Sequence, residues 1–310
     1  MVVDHVSTNN STTNTINPKP EGQCFICSEL AELVCQKCEK VAFCSEDHGR
    51  LHCREGFAQC FPYRVGCTDG VGRQLLTTRD VIKGEVIYVE DPIVVGPTQE
   101  CAPICLCCLR AIDTSYLCRG CGYPFCDEEC AADPSHRLEC QVLSNAPPPV
   151  LGDGQNNAYH PILPLRLLLQ QSQNPTRARL AEQLMDHTEE RKGSDYWVFS
   201  EEHVVKFLLD SCKQTQWTNE EIRNAIGVLE VNGYEIKNLQ TCGYRGLFPL
   251  TSLVSHKCIP NCKMVLNTEA PYTNKMVAGQ DLKAGEEIAI SYLRPSMCSL
   301  IRRKAIKNGW

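Results

Sequence analysis

The chain has 310 residues, a net charge of −6 at neutral pH and 22 cysteines. That length allows one sizeable core plus small modules that need something other than burial to hold them. With no Lys/Arg block, direct sequence-specific nucleic-acid binding is not expected, and no apolar stretch approaches the ~20 residues of a membrane span.

Residues 1–23 are polar and rich in Asn, Thr and Ser, and are predicted to form a disordered tail. They carry neither a basic n-region nor an apolar run, so no signal peptide is expected and a reducing compartment, cytoplasm or nucleus, follows. The sequons at Asn9 and Asn10 are then without consequence.

A cysteine ladder comes next: Cys24, Cys27, Cys35, Cys38, Cys44 and His48, closed by His52 and Cys60, with Cys53 the alternative to His52. A second ladder repeats the rhythm with Cys105, Cys108, Cys118, Cys121, Cys126, Cys130, His136 and Cys140. Each has two C-x-x-C pairs, then a Cys with a Cys or His four residues on, then a closing His and Cys. A C-x-x-C turn points two thiolates at one ion, so eight ligands in this order supply two tetrahedral zinc sites per module. The competing disulfide framework suits a small secreted domain, which this N-terminus does not resemble. Cys67, Cys101 and Cys107 are left as spare thiols.

Between the ladders, Gly72 to Val95 is β-branched and alternating with a turn at Lys83-Gly84, which predicts a β-hairpin or short meander. After the Pro147-Pro148-Pro149 break, helical periodicity runs from Ile162 to about Val231. From Gly243 the chain returns to short strands and ends in a basic, helix-like stretch to Trp310. The predicted boundaries are a tail at 1–23, a zinc finger at 24–60, a strand region at 61–100, a second zinc module at 101–140, a helical insert at 141–240 and a second strand region at 241–310. His5, His160, His187 and His203 lack ligand companions and read as surface or capping residues; Trp197 and Trp217 read as core.

The first ladder resembles a MYND zinc finger, in which the first and third ligand pairs bind one ion and the second and fourth the other. The second resembles another MYND-type module, inserted in a split SET domain. Three segments carry that likeness: LEVNGYEI (229–236), RGLFPLTSLVSHKCIPN (245–261) and GEEIAISY (285–292). The combination resembles the SMYD family of SET-and-MYND lysine methyltransferases. The leading finger and MDHTEER (185–191) are most similar to its arthropod-specific branch.

The resemblance implies an α+β fold: a split, mostly antiparallel SET β-core with an inserted MYND-type zinc module and a helical insert, preceded by a separate MYND zinc finger. It implies a zinc-binding, S-adenosylmethionine-dependent protein-lysine N-methyltransferase acting on a histone or other protein. The alternative is a non-catalytic interaction scaffold or transcriptional corepressor that grips proline-containing peptides.

It also implies site residues. Tyr292, which closes the GEExxxxY motif, supplies the catalytic hydroxyl. The N-H-x-C-x-P-N motif reads Ser255 to Asn261, so His256 and Asn261 fit, and Ser255 stands where the family's cofactor-holding Asn would be, with a shorter reach. Glu230 and Asn232 match positions that hold the ribose and amino-acid ends of the cofactor. Two residues apart, they share one face of an extended segment, the competing reading being a polar helix end. The glycine motif is either Gly70-Val71-Gly72 or Gly72-Arg73-Gln74. The family continues beyond the position of Trp310 into a cysteine cluster that binds a third zinc with Cys258; with the sequence stopping at Trp310, Cys258 is expected to lack those partners.

Overall fold

The computed structural model describes residues 30–37, 41–46, 60–70, 72–98, 102–152, 157–236, 243–267 and 272–293. Its contacts divide the chain into two units, Met1–Cys60 and Phe61–Trp310. The predicted tail and the basic stretch ending at Trp310 lie outside the described residues.

In the first unit, β1 (Leu33–Val34) pairs antiparallel with β2 (Ala42–Phe43). Cys35, Val41, Ala42 and Phe43 are buried around this short ribbon.

The second unit opens with β3 (Tyr63–Thr68) and β4 (Gly72–Thr77), an antiparallel hairpin in which Tyr63 faces Thr77. Then come β5 (Val86–Glu90) and β6 (Val94–Pro97). The expected local hairpin or meander within 72–95 does not form. The Lys83-Gly84 turn is there, with Glu85 N donating to Ile82 O at 3.1 Å. Its flanks, however, pair with distant chain: Val81 bridges Leu282, and Gly84 N donates to Ala278 O at 2.8 Å. The reason is burial on both faces. Ile87 and Tyr88 point to opposite sides of β5 and both are fully buried, which a two-stranded hairpin cannot provide.

The zinc module contributes a small ribbon, β7 (Tyr116–Leu117) with β8 (Pro124–Phe125), then α1 (Glu128–Ala131) and α2 (Pro134–Leu143). Asp127 and Asp133 cap these helices by accepting from Cys130 N and Ser135 N, and Pro134 takes the first-turn position where no amide donor is missed. The predicted helical periodicity resolves into α3 (Ile162–Gln173), α4 (Pro175–Glu182), α5 (Thr188–Arg191), α6 (Asp195–Ser200) and α7 (Asn219–Asn232). From Glu201 to Ser211 the helix following α6 widens to π geometry, interrupted only at Lys206. Helix α3 buries Ile162, Leu163, Leu165, Leu167, Leu168 and Leu169, which cover most of its circumference, so it is the central helix of the unit. A capping box of Thr218 and Glu221 starts α7. Trp217 is buried, whereas Trp197 is half-buried beneath the Arg223 guanidinium, 4.0 Å from the ring centre.

The remaining strands are β9 (Gly233–Ile236), β10 (Tyr244–Leu247), β11 (Ser255–His256), β12 (Cys262–Leu266), β13 (Asn274–Ala278) and β14 (Ala289–Ile290). They form two three-stranded sheets, ordered β6–β10–β9 and β12–β13–β5, and a parallel pair β11–β14. Strands from before the zinc module therefore pair with strands from after the helices: Val94 faces Leu247 and Tyr88 faces Met276. Among the described residues no helix is long and apolar enough to cross a membrane.

Candidate zinc centres and a candidate active site

The second ladder folds into two four-ligand clusters. Cys105, Cys108, Cys126 and Cys130 form one, Cys118, Cys121, His136 and Cys140 the other, each with its ligand atoms within 4.8 Å of one another. This is the interleaved order, first pair with third and second with fourth. Thiolates about 2.3 Å from a tetrahedral ion stand roughly 3.8 Å apart. The measured separations match: 3.5 Å for Cys108–Cys126, 3.7 Å for Cys118–Cys140, and 3.6 Å from Cys121 Sγ to His136 Nε2. Both clusters fit zinc in size and donor chemistry.

One thiol in each cluster is set up to ionise, while burial pushes up those of Cys121, Cys126, Cys130 and Cys140. Burial pushes the Cys108 thiol up, but the Arg110 side chain and backbone outweigh it and bring it down to about 7. Burial likewise opposes ionisation of Cys118, yet bonds from the Cys121 amide and His136 bring it to about 6. Cys107 is not among the clustered ligand atoms, and burial pushes its thiol up to about 11. In the first unit Cys35 Sγ lies 3.7 Å from Cys60 Sγ, a spacing that suits the second and fourth pairs sharing one ion. Cys44 is exposed. Cys24, Cys27, Cys38, His48 and His52 lie outside the described residues.

A second constellation gathers where the two sequence motifs meet. Parallel pairing sets Ser255 beside Ala289 and His256 beside Ile290, and Lys257 N donates to Ile290 O at 2.9 Å. Asn261 fastens the junction from within: its Nδ2 donates to Glu287 O at 2.7 Å and Glu286 Oε1 at 3.2 Å, and its Oδ1 accepts from Ala289 N at 2.9 Å. His256 Nδ1 accepts the Tyr292 amide proton at 2.9 Å, which leaves the proton of the neutral ring on Nε2, facing Cys258 Sγ at 3.6 Å.

Tyr292 packs against His256, ring centres 5.3 Å apart, and its hydroxyl donates to Val254 O at 2.5 Å. The Tyr234 hydroxyl donates to Thr251 O at 3.0 Å. Burial raises both phenols, Glu287 adds to the rise at Tyr292, and Tyr292 adds to that at Tyr234. Two neutral phenols thus share one turn of backbone carbonyls.

Glu230 and Asn232 require a correction. They lie on the last turn of α7, not on an extended segment, so their side chains leave opposite sides of the helix. The Glu230 carboxylate accepts from Arg191 Nε at 2.6 Å, and Asn232 Nδ2 donates to Met185 O at 2.8 Å and Val228 O at 2.9 Å. The string 185–191 therefore docks on the segment 229–236. Asn232 reaches the tyrosine turn only through its backbone, where Ser252 Oγ donates to Asn232 O at 3.3 Å. The Ser255 hydroxyl bonds Glu287; burial pushes that carboxyl up, but Lys257 and Ser255 hold it below the usual carboxylate range. Gly70 and Gly72, with φ of 77° and 85°, make the β3–β4 turn, and Gln74 Nε2 donates back to Thr68 Oγ1 at 2.6 Å.

The profile of the SET domain matches residues 72–293, more than half of the chain. The chain belongs to the SET-domain family. Among its relatives, SET domain-containing protein SmydA-8, isoform A, of Drosophila melanogaster is 27% identical over 261 residues, spanning 79% of this chain and 53% of that protein. Histone-lysine N-methyltransferase SMYD3 of Homo sapiens is 25% identical over 266 residues, spanning 77% and 57%. The chain is thus similar to SMYD proteins, the Drosophila one among them. The chain spans about half the length of the curated relatives it matches. Among solved structures, the SET domain of LSMT bound to lysine and AdoHcy matches at 12% identity over 75% of this chain and 49% of that one, with a TM-score of 0.32, too low to define equivalent residues.

Three residues of the SET site escaped the sequence reading. Tyr234 sat inside a quoted motif, and its position on β9, facing the same side as buried Ile236, was the available signal. Thr251 also lay inside a quoted motif, the 245–261 segment, without a signal of its own, and Glu90 gave none. The Glu90 carboxylate accepts from Leu250 N at 2.6 Å, Thr251 N at 2.9 Å and Thr251 Oγ1 at 2.7 Å. Tyr88 and Asn274 then donate to Thr251 Oγ1 at 3.1 and 2.6 Å. This buried hub fixes the turn whose carbonyls meet the two tyrosines.

Proposed function

We propose that the chain is a zinc-binding, S-adenosylmethionine-dependent protein-lysine N-methyltransferase of the cytoplasm or nucleus. In this reading the strands paired across residues 101–240 are one split SET core, with a MYND-type module and a helical insert between its halves, and residues 24–60 are a separate MYND finger. The observation that carries the function is the tyrosine–carbonyl array: Tyr234 on Thr251 O and Tyr292 on Val254 O, beside His256.

When bound, S-adenosylmethionine supplies a methyl group on a positively charged sulfonium. The donor set suits such a group. Each phenol has spent its proton on a carbonyl, so its oxygen and ring face stay available to polarised C–H groups and to positive charge. Raised phenol pKa values keep both hydroxyls protonated at neutral pH, where they orient partners instead of acting as bases. His256 sets the Tyr292 backbone, and Asn261 locks the strand that delivers it. Alignment of this kind is the main catalytic resource for an in-line displacement. The names of the SMYD3 and ASHR1 relatives, both histone-lysine N-methyltransferases, support a protein lysine as acceptor.

A second reading, a non-catalytic interaction scaffold, has a specific observation behind it: the Glu230 carboxylate is committed to Arg191 and the Ser255 hydroxyl to Glu287. Incubating zinc-loaded protein with methyl-labelled S-adenosylmethionine and core histones or cell extract separates the two. The enzyme reading predicts label on lysine that Tyr292→Phe lowers by about a hundredfold. No label from either protein favours the scaffold, and equal label from both would overturn the role given to Tyr292.

A further inference from the structure

His136 presents Nε2 to Cys121 and turns its other nitrogen, Nδ1, to Glu139 Oε1 at 3.2 Å. Only 1% of the Glu139 side chain is exposed, and a carboxylate so placed is costly unless its charge is held. Arg166 of α3 holds it. Its Nε donates to Glu139 Oε2 at 2.5 Å and its Nη2 to Oε1 at 3.2 Å. The same guanidinium donates through Nη1 to Val95 O of β6 and through Nη2 to Leu106 O, both at 2.6 Å. Leu106 lies in the turn between Cys105 and Cys108, so Arg166 bonds beside a ligand of each cluster, through Leu106 O and through Glu139. Gly96 lets α3 come this close, since a Cβ there would stand 3.1 Å from Leu163 Cδ1 and 3.6 Å from Arg166 Nη1.

We propose that Glu139 and Arg166 are positioning residues of the second zinc module, which hold His136 in its ligating tautomer and tie both zinc sites to the β6–β10–β9 sheet. A carboxylate on the far nitrogen of a ligand histidine fixes ring orientation and raises its basicity, and its loss typically weakens metal binding 10- to 100-fold. Here the carboxylate is itself anchored to an edge strand of the sheet whose far strand, β9, carries Tyr234. The inference rests on the zinc reading of this module.

The test uses the full chain loaded with zinc, as wild type and as Glu139→Ala, Glu139→Gln and Arg166→Met. Zinc content is measured first. EDTA is then titrated in, freed thiols are trapped with N-ethylmaleimide, and each cysteine is read by mass spectrometry. In Glu139→Ala, Cys118, Cys121 and Cys140 should become reactive at about 10- to 100-fold less chelator, with Cys105, Cys108, Cys126 and Cys130 unmoved. Glu139→Gln should recover most of the difference, because its amide oxygen still accepts from Nδ1. Arg166→Met should lower the threshold for both sets and speed amide exchange in residues 94–96. Equal shifts of both sets in Glu139→Ala, or none, would overturn the proposal in zinc-replete protein. Wild-type protein whose module carries no zinc would sink the zinc reading itself.

Discussion

The Glu90 carboxylate takes three hydrogen bonds from a turn 160 residues further along the chain. Replacing it with alanine leaves two amides and a hydroxyl without their acceptor, a cost of about 3 kcal/mol. Denaturant titration of Glu90→Ala should therefore show a lower midpoint at unchanged slope; a loss under about 0.5 kcal/mol would remove Glu90 from the support of the turn. His160 gives a pH signature. It lies in an aromatic cluster with Phe199 and His203, ring centres 4.6 and 6.5 Å away. Burial, and then His203, depress its pKa from 6.5 to about 4. Protonation thus favours the unfolded chain, so this contribution is complete above the unfolded value and is lost as pH falls from 6.5 towards 4. His160→Phe should flatten the decline in Tm between pH 6.5 and 5 relative to wild type, and parallel profiles would contradict the assignment. The reading of His160 as a surface or capping residue missed this, since its partners come from the distant helical segment that carries Phe199 and His203.

At the scale of elements, what could be read in advance was whatever spacing alone determines. The second ladder's ligands and the helical run from Ile162 to about Val231 both follow from short-range pattern. Strand pairing did not, because β5 and β6 choose partners after residue 243 that no local signal names. The Glu230–Asn232 pair was misplaced for a related reason: a helix and a strand both put a polar pair near an element's end, and α7 extends through Asn232 before β9 begins. The zinc module carries its own prediction. The module adds Ile104, Leu106, Tyr123 and Phe125 to the unit's core, but a segment this small needs ligation to hold its turns in place. Chelation should abolish protease resistance within residues 102–140 and reduce helical circular dichroism; unchanged digestion would contradict the two-cluster account.

For the molecule as a whole, motifs far apart in sequence converge because the two halves of the strand region share sheets. The hairpin β3–β4 reaches the 285–292 motif through the Leu76–Glu287 bridge, Asn261 joins that motif to the histidine segment, and Ser252 ties the latter to the end of α7. What spacing could not reveal is how much of the site's polar chemistry is already engaged within the protein, as with Glu230 on Arg191. Whether the gathered residues accept a cofactor is therefore the central question. The most direct measurement is calorimetric titration of S-adenosylmethionine into zinc-loaded, folded protein, repeated with His256→Ala. Saturable binding of one molecule per chain, weakened at least about tenfold, or 1.4 kcal/mol, by the substitution is the predicted result. No binding by the folded wild-type protein would contradict the enzyme reading and leave a zinc-held scaffold.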